Sequence, residues 1–535
     1  MSARHVSAPG LPMRVLFVAS EVYPLAKTGG LADVGAALPA ALAKLGVDVR
    51  VMLPGYPSAL ETVQDKQLVA RLDGDGSLLL GRAPDTGLAV YLLDRPELFR
   101  RAGGLYQDSE KRDWPDNALR FAAFSQAAAE LALGGGGGTW RPDLVHANDW
   151  HTGLVPALLA LHSGPRPRTI FTVHNLAFQG NFPLDAAGTL GLPELLLLPE
   201  GAEFYGQVSF LKAGLQYADR LTTVSPTYAR EILTPEYGVG MDGLLRARAD
   251  DLVGILNGID NDVWNPAADG NLPACYDVDD LTGKQAVKAA LQQELGLDQA
   301  EDTPLVVYVN RLTHQKMADI VLLALPSLLE QGAQVVLHGE GERELEAAFA
   351  AAALGSQSRM AVRIGYQEKL AHWANAAADL ALTPSRFEPC GLTTMYAMRY
   401  GALPVTNPVG GLADTVLDVD GTRADARGAN GFTFSDPTPA ALSACLRRAG
   451  SVFDDPVAWR QFQRNAMLRD FGWDASARSY LALYRDLVPT EARMPAGMAK
   501  LPRASAHSAP GSRPARAATS ANNAVAPRCL AEAAD

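Results

Sequence analysis

The sequence contains few cysteines and no long hydrophobic segment. Its four cysteines, Cys275, Cys390, Cys445 and Cys529, lie far apart and form no C-x-x-C pair for a metal or a redox centre. Isolated cysteines of this kind are typical of a reducing compartment, so we expect a cytoplasmic protein. No stretch approaches the roughly 18 apolar residues of a membrane-spanning helix, and we expect no membrane partner.

The sequence also has fewer basic residues than acidic ones. The chain has 47 Lys and Arg residues against 59 Asp and Glu residues, which gives a formal net charge of −12. Binding along a nucleic-acid backbone requires a basic face, so nucleic acid is not an expected partner. An anionic ligand must instead be bound by a few local cations.

The length of the chain indicates more than one domain. Its 535 residues exceed the roughly 250 to 300 at which a single hydrophobic core stops growing. Residues 1–12 are polar and are expected to form a flexible N-terminal extension, with Met13 as an alternative start. Residues 489–535 are rich in Ala, Pro, Ser and Arg and are expected to be disordered.

Short apolar segments that end in polar residues recur along the chain. RVLFVAS is followed by leucines at helical spacing and then by VDVRVMLP, which is the pattern of a βαβ unit. The pattern continues through PDLVHAND, RTIFTVHN and DRLTTVSP, and a second series runs through PLVVYVNR, AQVVLHGEGE, MAVRIGY, DLALTPS and ALPVTNP. We therefore predict an α/β fold with two parallel, doubly wound halves, joined between Asn257 and Thr303.

Ligands of open α/β sheets bind beyond the carboxyl ends of the strands. Those ends carry most of the polar residues of interest, which are Lys27, Asp149, His174, Asn257, Arg311, Lys316 and Glu388. Two halves that face each other would form a cleft with one reactant on each side.

The five residues Gly-Gly-Leu-Ala-Asp occur twice, at 29–33 and at 410–414. In the first copy, two glycines allow a close backbone approach, the following helix offers free N–H groups, and Lys27 adds a positive charge. This combination suits a phosphate, although a structural glycine turn with a solvated lysine has the same appearance. The second copy follows Pro408 and Val409 and offers its backbone alone.

The segment NRLTHQK places Arg311 and Lys316 between a strand and a helix. Two cations at a helix start suit a diphosphate. A solvated charged loop is the alternative.

The segment SRFEPCGLTTMYAM places Glu388 just before a helix that begins with Cys390, Gly391 and Leu392. An anion could bind to that helix end, with Glu388 accepting hydrogen bonds from sugar hydroxyls. Alternatively, Glu388 interacts with the helix dipole and Cys390 is a small buried residue. A nucleophilic thiol is the least favoured interpretation, since no histidine is close in sequence.

Histidines near strand ends raise the question of a metal. HANDWH contains His146, Asp149 and His151, and TVHNLAFQG contains His174. No H-E-x-x-H pattern exists and the H-x-x-x-x-H spacing is loose, so we expect no metal. A hydrogen-bonded core histidine is the alternative for His174.

Six segments together resemble the bacterial glycogen synthase and plant starch synthase family. They are SEVYPLAKTGGLADV, HANDWHTG, FTVHNLAFQG, GILNGID, NRLTHQK and SRFEPCGLTTMYAMRYG, and their order also matches. The resemblance, from about Met13 to about Leu487, implies a retaining glycosyltransferase of the GT-B fold with two Rossmann-like domains around a deep cleft. The implied boundaries are residues 13–257 for the acceptor domain, 258–470 for the donor domain, and 471–488 for a last helix that crosses back.

The reaction implied by this resemblance is the transfer of glucose from ADP-glucose to the non-reducing end of an α-1,4-glucan such as glycogen. ADP leaves, the anomeric configuration is retained, and no metal or other cofactor takes part. Because we expect no carboxylate beside His174, front-face attack is favoured over a double displacement, which would require a nucleophile there.

Individual residues receive roles by the same resemblance. The catalytic residues would be His174, Arg311, Lys316 and Glu388. The donor-binding residues would be Lys27, Gly29, Gly30, Tyr366, Cys390, Gly391 and Leu392, with Tyr366 on the adenine. The acceptor-binding residues would be Glu21, Asp33, Asp149, Trp150, His151, Asn257 and Gln315, and the aromatic face of Trp150 suits a sugar's C–H surface.

The chain departs from the family pattern at two positions. Met317 stands where the family usually has glycine, and Val409 where it commonly has threonine. Three alternatives stay open at this point: UDP-glucose as the donor, a short maltooligosaccharide as the acceptor, or a glucan-binding paralogue without catalysis.

Overall fold

The structure is a computed structural model that describes residues 12–73, 75–135, 140–356, 358–419 and 428–489. Residues 1–11 of the expected N-terminal extension and residues 490–535 of the expected tail lie outside the described residues.

The described chain alternates between strands and helices. The strands are β1 (Arg14–Val18), β2 (Asp48–Pro54), β3 (Gln64–Arg71), β4 (Ser77–Arg82), β5 (Ala89–Asp94), β6 (Leu144–Asn148), β7 (Arg168–Val173), β8 (Asn181–Pro183), β9 (Glu203–Phe204), β10 (Gln207–Ser209), β11 (Arg220–Thr223), β12 (Leu252–Gly254), β13 (Leu305–Val309), β14 (Gln334–Gly339), β15 (Met360–Ile364), β16 (Leu380–Leu382), β17 (Leu403–Thr406) and β18 (Phe432–Thr433).

The helices connect these strands. The α-helices are α1 (Gly30–Lys44), α2 (Pro57–Thr62), α3 (Pro96–Phe99), α4 (Asn117–Ala132), α5 (Leu154–Ala160), α6 (Phe210–Tyr217), α7 (Pro226–Glu231), α8 (Asp242–Ala247), α9 (Thr282–Leu295), α10 (Ala318–Glu330), α11 (Arg343–Leu354), α12 (Glu368–Ala377), α13 (Leu392–Arg399), α14 (Gly410–Thr415), α15 (Pro439–Phe453), α16 (Pro456–Met467) and α17 (Trp473–Leu487). Short 3₁₀ helices span Trp150–Thr152, Leu184–Leu190, Glu194–Leu197 and Ala249–Asp251.

Two large sheets confirm the expected pair of parallel α/β halves. The first has nine strands in the order β12-β11-β7-β6-β1-β2-β5-β4-β3, and its strands from β12 to β5 are parallel. The second has six parallel strands in the order β15-β14-β13-β16-β17-β18. Their near-continuous apolar segments are typical of strands covered by helices on both faces.

Two features of the first half have no counterpart in the expected pattern. Strands β4 and β3 join antiparallel to β5 at one edge, and β3 is largely exposed and polar. A separate three-stranded antiparallel sheet, β8-β10-β9, follows β7. Polar side chains along an open edge disfavour pairing with a second chain.

The chain passes between the two hydrophobic cores at two adjacent places. Phe471 packs in the second core, whereas Trp473 and Tyr484 of α17 pack in the first, where α17 lies against α1. The segment that leaves the first core and the segment that returns to it lie side by side. The Ile259 N–H of the former donates to the Phe471 carbonyl of the latter at 2.7 Å. The last helix therefore belongs to the first core.

The two halves also touch at the opening between them. Asp414 of α14 accepts hydrogen bonds from Thr227 of α7, from its backbone N–H at 2.9 Å and its hydroxyl at 2.7 Å. Glu231 Oε1 accepts the Gly410 N–H at 2.9 Å. Within the described ranges, no helix is both long enough and apolar enough to cross a membrane.

Candidate functional site

The glycine-rich loop before α1 is held by a buried glutamate. Glu21 Oε2 accepts the backbone N–H groups of Thr28 at 2.6 Å and Gly29 at 2.9 Å, and Glu21 Oε1 accepts the Tyr106 hydroxyl at 2.7 Å. Glu21 is only 4% exposed. The structure therefore places this carboxylate beneath the loop, where it fixes the backbone on which Lys27 is mounted.

Lys27 lies at the surface of this loop with its charge partly neutralised. Its Nζ is 2.9 Å from Asp33 Oδ1, and its side chain is 34% exposed. Although burial disfavours the ammonium, the Asp33 carboxylate raises the pKa of Lys27 above its usual value. Lys27 is therefore a charged, accessible group at the start of α1.

Asp149 lies in an unusual conformation after β6. Its φ of 57° and ψ of 177° belong to a region that is essentially restricted to glycine. Its Oδ1 accepts the His174 backbone N–H at 2.8 Å. Burial raises the pKa of Asp149 to about 7, against the lowering effect of backbone N–H groups. We had expected no carboxylate beside His174, and the structure shows one whose oxygen is engaged by the backbone.

His174 is fixed in one orientation by Asn148. The Asn148 amide group donates to the Val18 and His146 carbonyls, so its Oδ1 faces His174 Nε2 at 3.0 Å. His174 Nε2 must then carry the proton, which leaves Nδ1 as an acceptor. Burial lowers the pKa of His174 to about 3, so the ring is neutral at physiological pH.

Trp150 and His151 follow Asp149 and stack on each other. Their ring centroids are 4.0 Å apart, and His151 also stacks on Tyr106 at 4.4 Å. His151 is buried, whereas Trp150 is partly exposed. Burial, with a contribution from Arg120, holds the pKa of His151 well below its usual value. Trp150 is thus the member of this pair that can contact a ligand.

In the second half, two loops bring four of the expected residues together. Lys316 Nζ donates to Glu388 Oε2, and the Ser385 hydroxyl donates to the same oxygen at 3.0 Å. Arg311 donates to Gln315 Oε1 at 3.3 Å, and Gln315 in turn donates to the Phe387 carbonyl at 3.3 Å.

The charged residues of these two loops differ in exposure. Lys316 and Glu388 are each 9% exposed, whereas Arg311 is exposed. Met317, directly after Lys316, has φ 52° and ψ 32° and is buried. This left-handed conformation explains why the family usually has glycine here. The burial of the Met317 side chain offsets its conformational cost.

Cys390 is a packing residue. It is 7% exposed, its sulfur accepts the Asn257 backbone N–H, and burial raises the pKa of its thiol to about 12. A thiol with such a pKa is not a nucleophile at neutral pH. Gly391 follows with φ 86°, and Leu392 begins α13. The Asn257 side-chain Oδ1 is buried and has no hydrogen-bond partner among the described residues.

Charges from the two halves approach one another. The Asp149, Glu231 and Glu388 carboxylates all add to the effect of burial that raises the pKa of Tyr228. Lys27 of the first half lowers the pKa of Tyr366 in the second, opposing the larger effect of burial. The halves also meet directly, because a Cβ on Gly30 would lie 3.0 Å from Leu392 Cδ1, so the loops at the two sets of strand ends share one opening.

His146, which was considered as a metal ligand and not favoured, has other partners in the structure. His146 uses one ring nitrogen with the Tyr484 hydroxyl at 2.7 Å and the other with the Thr172 hydroxyl at 2.6 Å. In the part of the chain that the structure describes, no group of three His, Cys, Asp or Glu side chains could hold a metal ion.

Sequence reasoning missed three residues that support the site. Asn148 and Ser385 stand inside HANDWH and SRFEPCG, so their position next to Asp149 and Glu388 could have drawn attention to them. Tyr106, which holds Glu21, lies outside every segment that the sequence analysis singled out, and 85 positions separate it from Glu21.

The strand-end site and the paired α/β sheets define a GT-B glycosyltransferase. A family model described as the starch synthase catalytic domain matches residues 14–247, and one described as glycosyl transferases group 1 matches residues 293–463. A glycogen synthase from Burkholderia thailandensis is 55% identical, over 89% of this chain and 90% of that protein. A glycogen synthase from Paramagnetospirillum magneticum is 51% identical, over 89% and 98%.

A solved structure agrees with these relatives. The catalytic domain of starch synthase IV from Arabidopsis thaliana, bound to ADP and acarbose, is similar with a TM-score of 0.81 and 35% identity, and covers 89% of this chain and 99% of that one. The chain therefore belongs to the glycogen synthase and starch synthase family of glycosyltransferases.

Proposed function

We propose that the protein transfers glucose from ADP-glucose to the 4-hydroxyl at the non-reducing end of an α-1,4-glucan, with retention of configuration and release of ADP, in glycogen biosynthesis. The observation that carries this proposal is the buried Lys316–Glu388 pair, with exposed Arg311 in the same loop as Lys316. The helix that follows Glu388 approaches the glycine loop of the other half, since a Cβ on Gly30 would lie 3.0 Å from Leu392 Cδ1. Family membership and this arrangement support the same reaction.

On the donor side, the cations are suited to a diphosphate. Arg311 and Lys316 would meet it from the second half and Lys27 from the first, while the α13 start at Cys390, Gly391 and Leu392 supports the group. The Tyr366 ring is 56% exposed and offers a free face to adenine. Glu388, held by Lys316 and Ser385, would accept hydrogen bonds from the glucose hydroxyls.

On the acceptor side, His174 and Trp150 are the groups best placed to contact sugar. His174 Nδ1 would accept a hydrogen bond from a sugar hydroxyl, because Nε2 is occupied by Asn148. The partly exposed face of Trp150 would pack on the C–H surface of a glucose ring. Asp149 would act through the backbone by fixing the position of His174.

The chemical step requires stabilisation of the charge that develops on ADP. Preorganised donors of this kind are each worth about 3 to 4 kcal/mol of transition-state stabilisation. Lys27, Arg311 and Lys316 supply such donors, so the proposal includes no metal. With Asp149 bonded to the backbone N–H of His174, front-face attack by the acceptor hydroxyl is the proposed route. A cytoplasmic location is part of the proposal, supported by the unpaired cysteines Cys275, Cys390 and Cys445.

The test follows labelled glucose into polymer. Purified protein is incubated with labelled ADP-glucose or UDP-glucose and with glycogen, a short maltooligosaccharide or no acceptor. An Arg311→Ala variant and the exposed control Arg343→Ala are treated in the same way. We expect incorporation from ADP-glucose that needs glycogen and is lost only in Arg311→Ala. Faster transfer from UDP-glucose, or transfer only to maltooligosaccharides, would change the assigned substrate. Glycogen binding without transfer from either donor would show that the protein is a non-catalytic, glucan-binding paralogue.

A further inference from the structure

The hairpin formed by β9 and β10 has a conformationally costly residue at its tip. Tyr205 and Gly206 connect the two strands, with φ 50° and 78° respectively. Two-residue turns with both φ values positive favour Asn-Gly, because asparagine tolerates this region better than other side chains. Tyrosine at the first position is unfavourable, yet its side chain is 83% exposed and gains little from burial. Such an outlier points to a function of the exposed ring.

A second outlier lies directly against this hairpin. Val239 and Gly240 also have positive φ, 48° and 79°, although a β-branched residue is rarely found there. A Cβ on Gly240 would lie 3.2 Å from the Phe204 ring and 3.5 Å from the Tyr205 ring. Because Gly240 has no side chain, the aromatic rings can approach its backbone. The Val239 side chain remains 48% exposed.

Phe178 is a third exposed apolar side chain, and the neighbouring Gln179 connects its segment to Val239. The Gln179 side chain donates to the Val239 carbonyl at 2.9 Å, and its neighbour Phe178 is 52% exposed. We call Phe178, Tyr205 and Val239 the apolar rim.

The apolar rim is continuous with the candidate acceptor side. Phe178 lies in the segment that follows His174, and a Cβ on Gly180 would lie 2.4 Å from Trp150 Cε3. The segment that carries Phe178 and Gln179 is therefore packed directly on Trp150.

We propose that the apolar rim binds an α-1,4-glucan chain at glucose units away from the reacting end. This inference rests on the proposed function, because a polymeric acceptor must leave the cleft across a neighbouring surface. Glucose rings present C–H faces that pack on exposed aromatic faces. Glu203, the nearest acidic residue in the hairpin, accepts the Gly206 N–H at 2.7 Å within the turn. The rim therefore presents apolar side chains to a neutral polymer.

The test separates binding from stability in a single variant. Tyr205→Asn relieves the unfavourable turn conformation and removes the aromatic face, so its melting temperature should rise while its affinity for glycogen falls about tenfold, or about 1.4 kcal/mol. Tyr205→Trp keeps an aromatic face and should retain most of the affinity. Val457→Ala removes an 80% exposed side chain from the other half and is the control. Affinity is measured by electrophoresis through glycogen-containing native gels without any sugar nucleotide.

Kinetics give an independent measurement. In Tyr205→Asn and Phe178→Ala, the KM for glycogen should rise, while the KM for ADP-glucose and the rate with a short maltooligosaccharide stay near those of the unmodified protein. Glycogen affinity unchanged in both variants, or lost equally in Tyr205→Trp, would overturn the proposal. Because binding is measured without donor, glycogen binding by a protein that transfers no glucose would contradict the proposed function and leave the rim intact.

Discussion

The two Gly-Gly-Leu-Ala-Asp segments have the same sequence and different surroundings. In the first, α1 begins at Gly30, and Asp33 pairs with Lys27 at the surface of the cleft. In the second, α14 begins at Gly410, and Asp414 bonds to Thr227 of the other half. We had expected the second copy to contribute its backbone alone, but its aspartate joins the two halves. One pentapeptide thus lies in the proposed donor-binding loop in one place and contacts the other half of the molecule in the other.

A glutamate of the first half holds the backbone in each copy. Glu21 accepts N–H groups from Thr28 and Gly29, and Glu231 accepts the N–H of Gly410. The space around the glycines differs. A Cβ on Gly29 would meet nothing within 4 Å, whereas a Cβ on the equivalent Gly410 would lie 1.9 Å from the Glu388 carbonyl oxygen. The first copy is open and the second is packed against backbone.

The largest expected difference comes from alanine at matched glycines. Gly410→Ala forces its Cβ into the Glu388 carbonyl, at a residue whose φ is 46°, and should lower the free energy of unfolding by about 3 kcal/mol. Gly29→Ala has room and should change it by less than about 0.5 kcal/mol. Urea unfolding monitored by circular dichroism measures both. Equal losses in the two variants would mean that the copies are equally packed.

Removal of the charge that distinguishes the first copy should affect the rate more than the fold. Lys27→Ala should reduce transfer from ADP-glucose about a hundredfold, because the lysine is proposed to stabilise the leaving diphosphate. Its partly exposed ion pair contributes less than about 1 kcal/mol to stability. Initial rates of label transfer are compared with those of Lys44→Ala, an exposed lysine at the other end of α1. A rate within twofold of the control would rule out this role.

The aspartates of the two copies should differ in their contribution to stability, with the larger contribution from the second copy. Asp414→Ala removes two hydrogen bonds to a carboxylate between the halves and should cost about 2 kcal/mol of unfolding free energy. Asp33→Ala removes a surface ion pair and should cost less than about 1 kcal/mol. Denaturant melts of both variants, with Asp414→Asn as a charge control, make the comparison. A smaller loss in Asp414→Ala than in Asp33→Ala would contradict the assignment of Asp414 to the domain contact.

The smallest expected effect is a pH dependence at the second copy. Burial, with help from Asp414, raises the pKa of Glu231 above its ordinary value of 4.5, although the Gly410 N–H lowers it. A raised pKa favours the protonated form in the folded state. Its stabilisation is therefore complete below pH 4.5 and is lost as pH rises through the folded-state pKa. Melting temperatures of the unmodified protein and Glu231→Gln from pH 7 to 4.5 should show a relative gain for the unmodified protein on acidification. Parallel curves would show that Glu231 has an ordinary pKa.

Most of the parallel strands could be predicted, whereas one edge of the first sheet could not. Strands such as β6 and β13 are largely apolar segments followed by polar residues, a pattern that is typical of strands covered on both faces. Strand β3 is polar and exposed along most of its length, so nothing in its sequence distinguishes it from a loop. Its place depends on pairing with β4, which periodicity does not reveal.

The candidate site shows a similar division. Lys316 and Glu388 could be named because each stands next to a helix start in a recognisable segment. Their contact could not, because 72 positions separate them. Cys390 could be read as either a buried residue or a nucleophile, and burial with a pKa of about 12 decides for the former.

The sequence by itself determined the two α/β halves, the strand ends that carry the site and the family. Each of these follows from local patterns of apolar, glycine and charged residues. The tertiary structure decided the contacts of residues that have the same local sequence or that allow more than one interpretation. Asp33 and Asp414 differ only in their neighbours, and Thr227 lies 187 positions from Asp414. The distances between residues on different strand ends determine which hydrogen bonds form, which side chains are buried and which nitrogen of His174 carries the proton. The local sequence does not contain these distances.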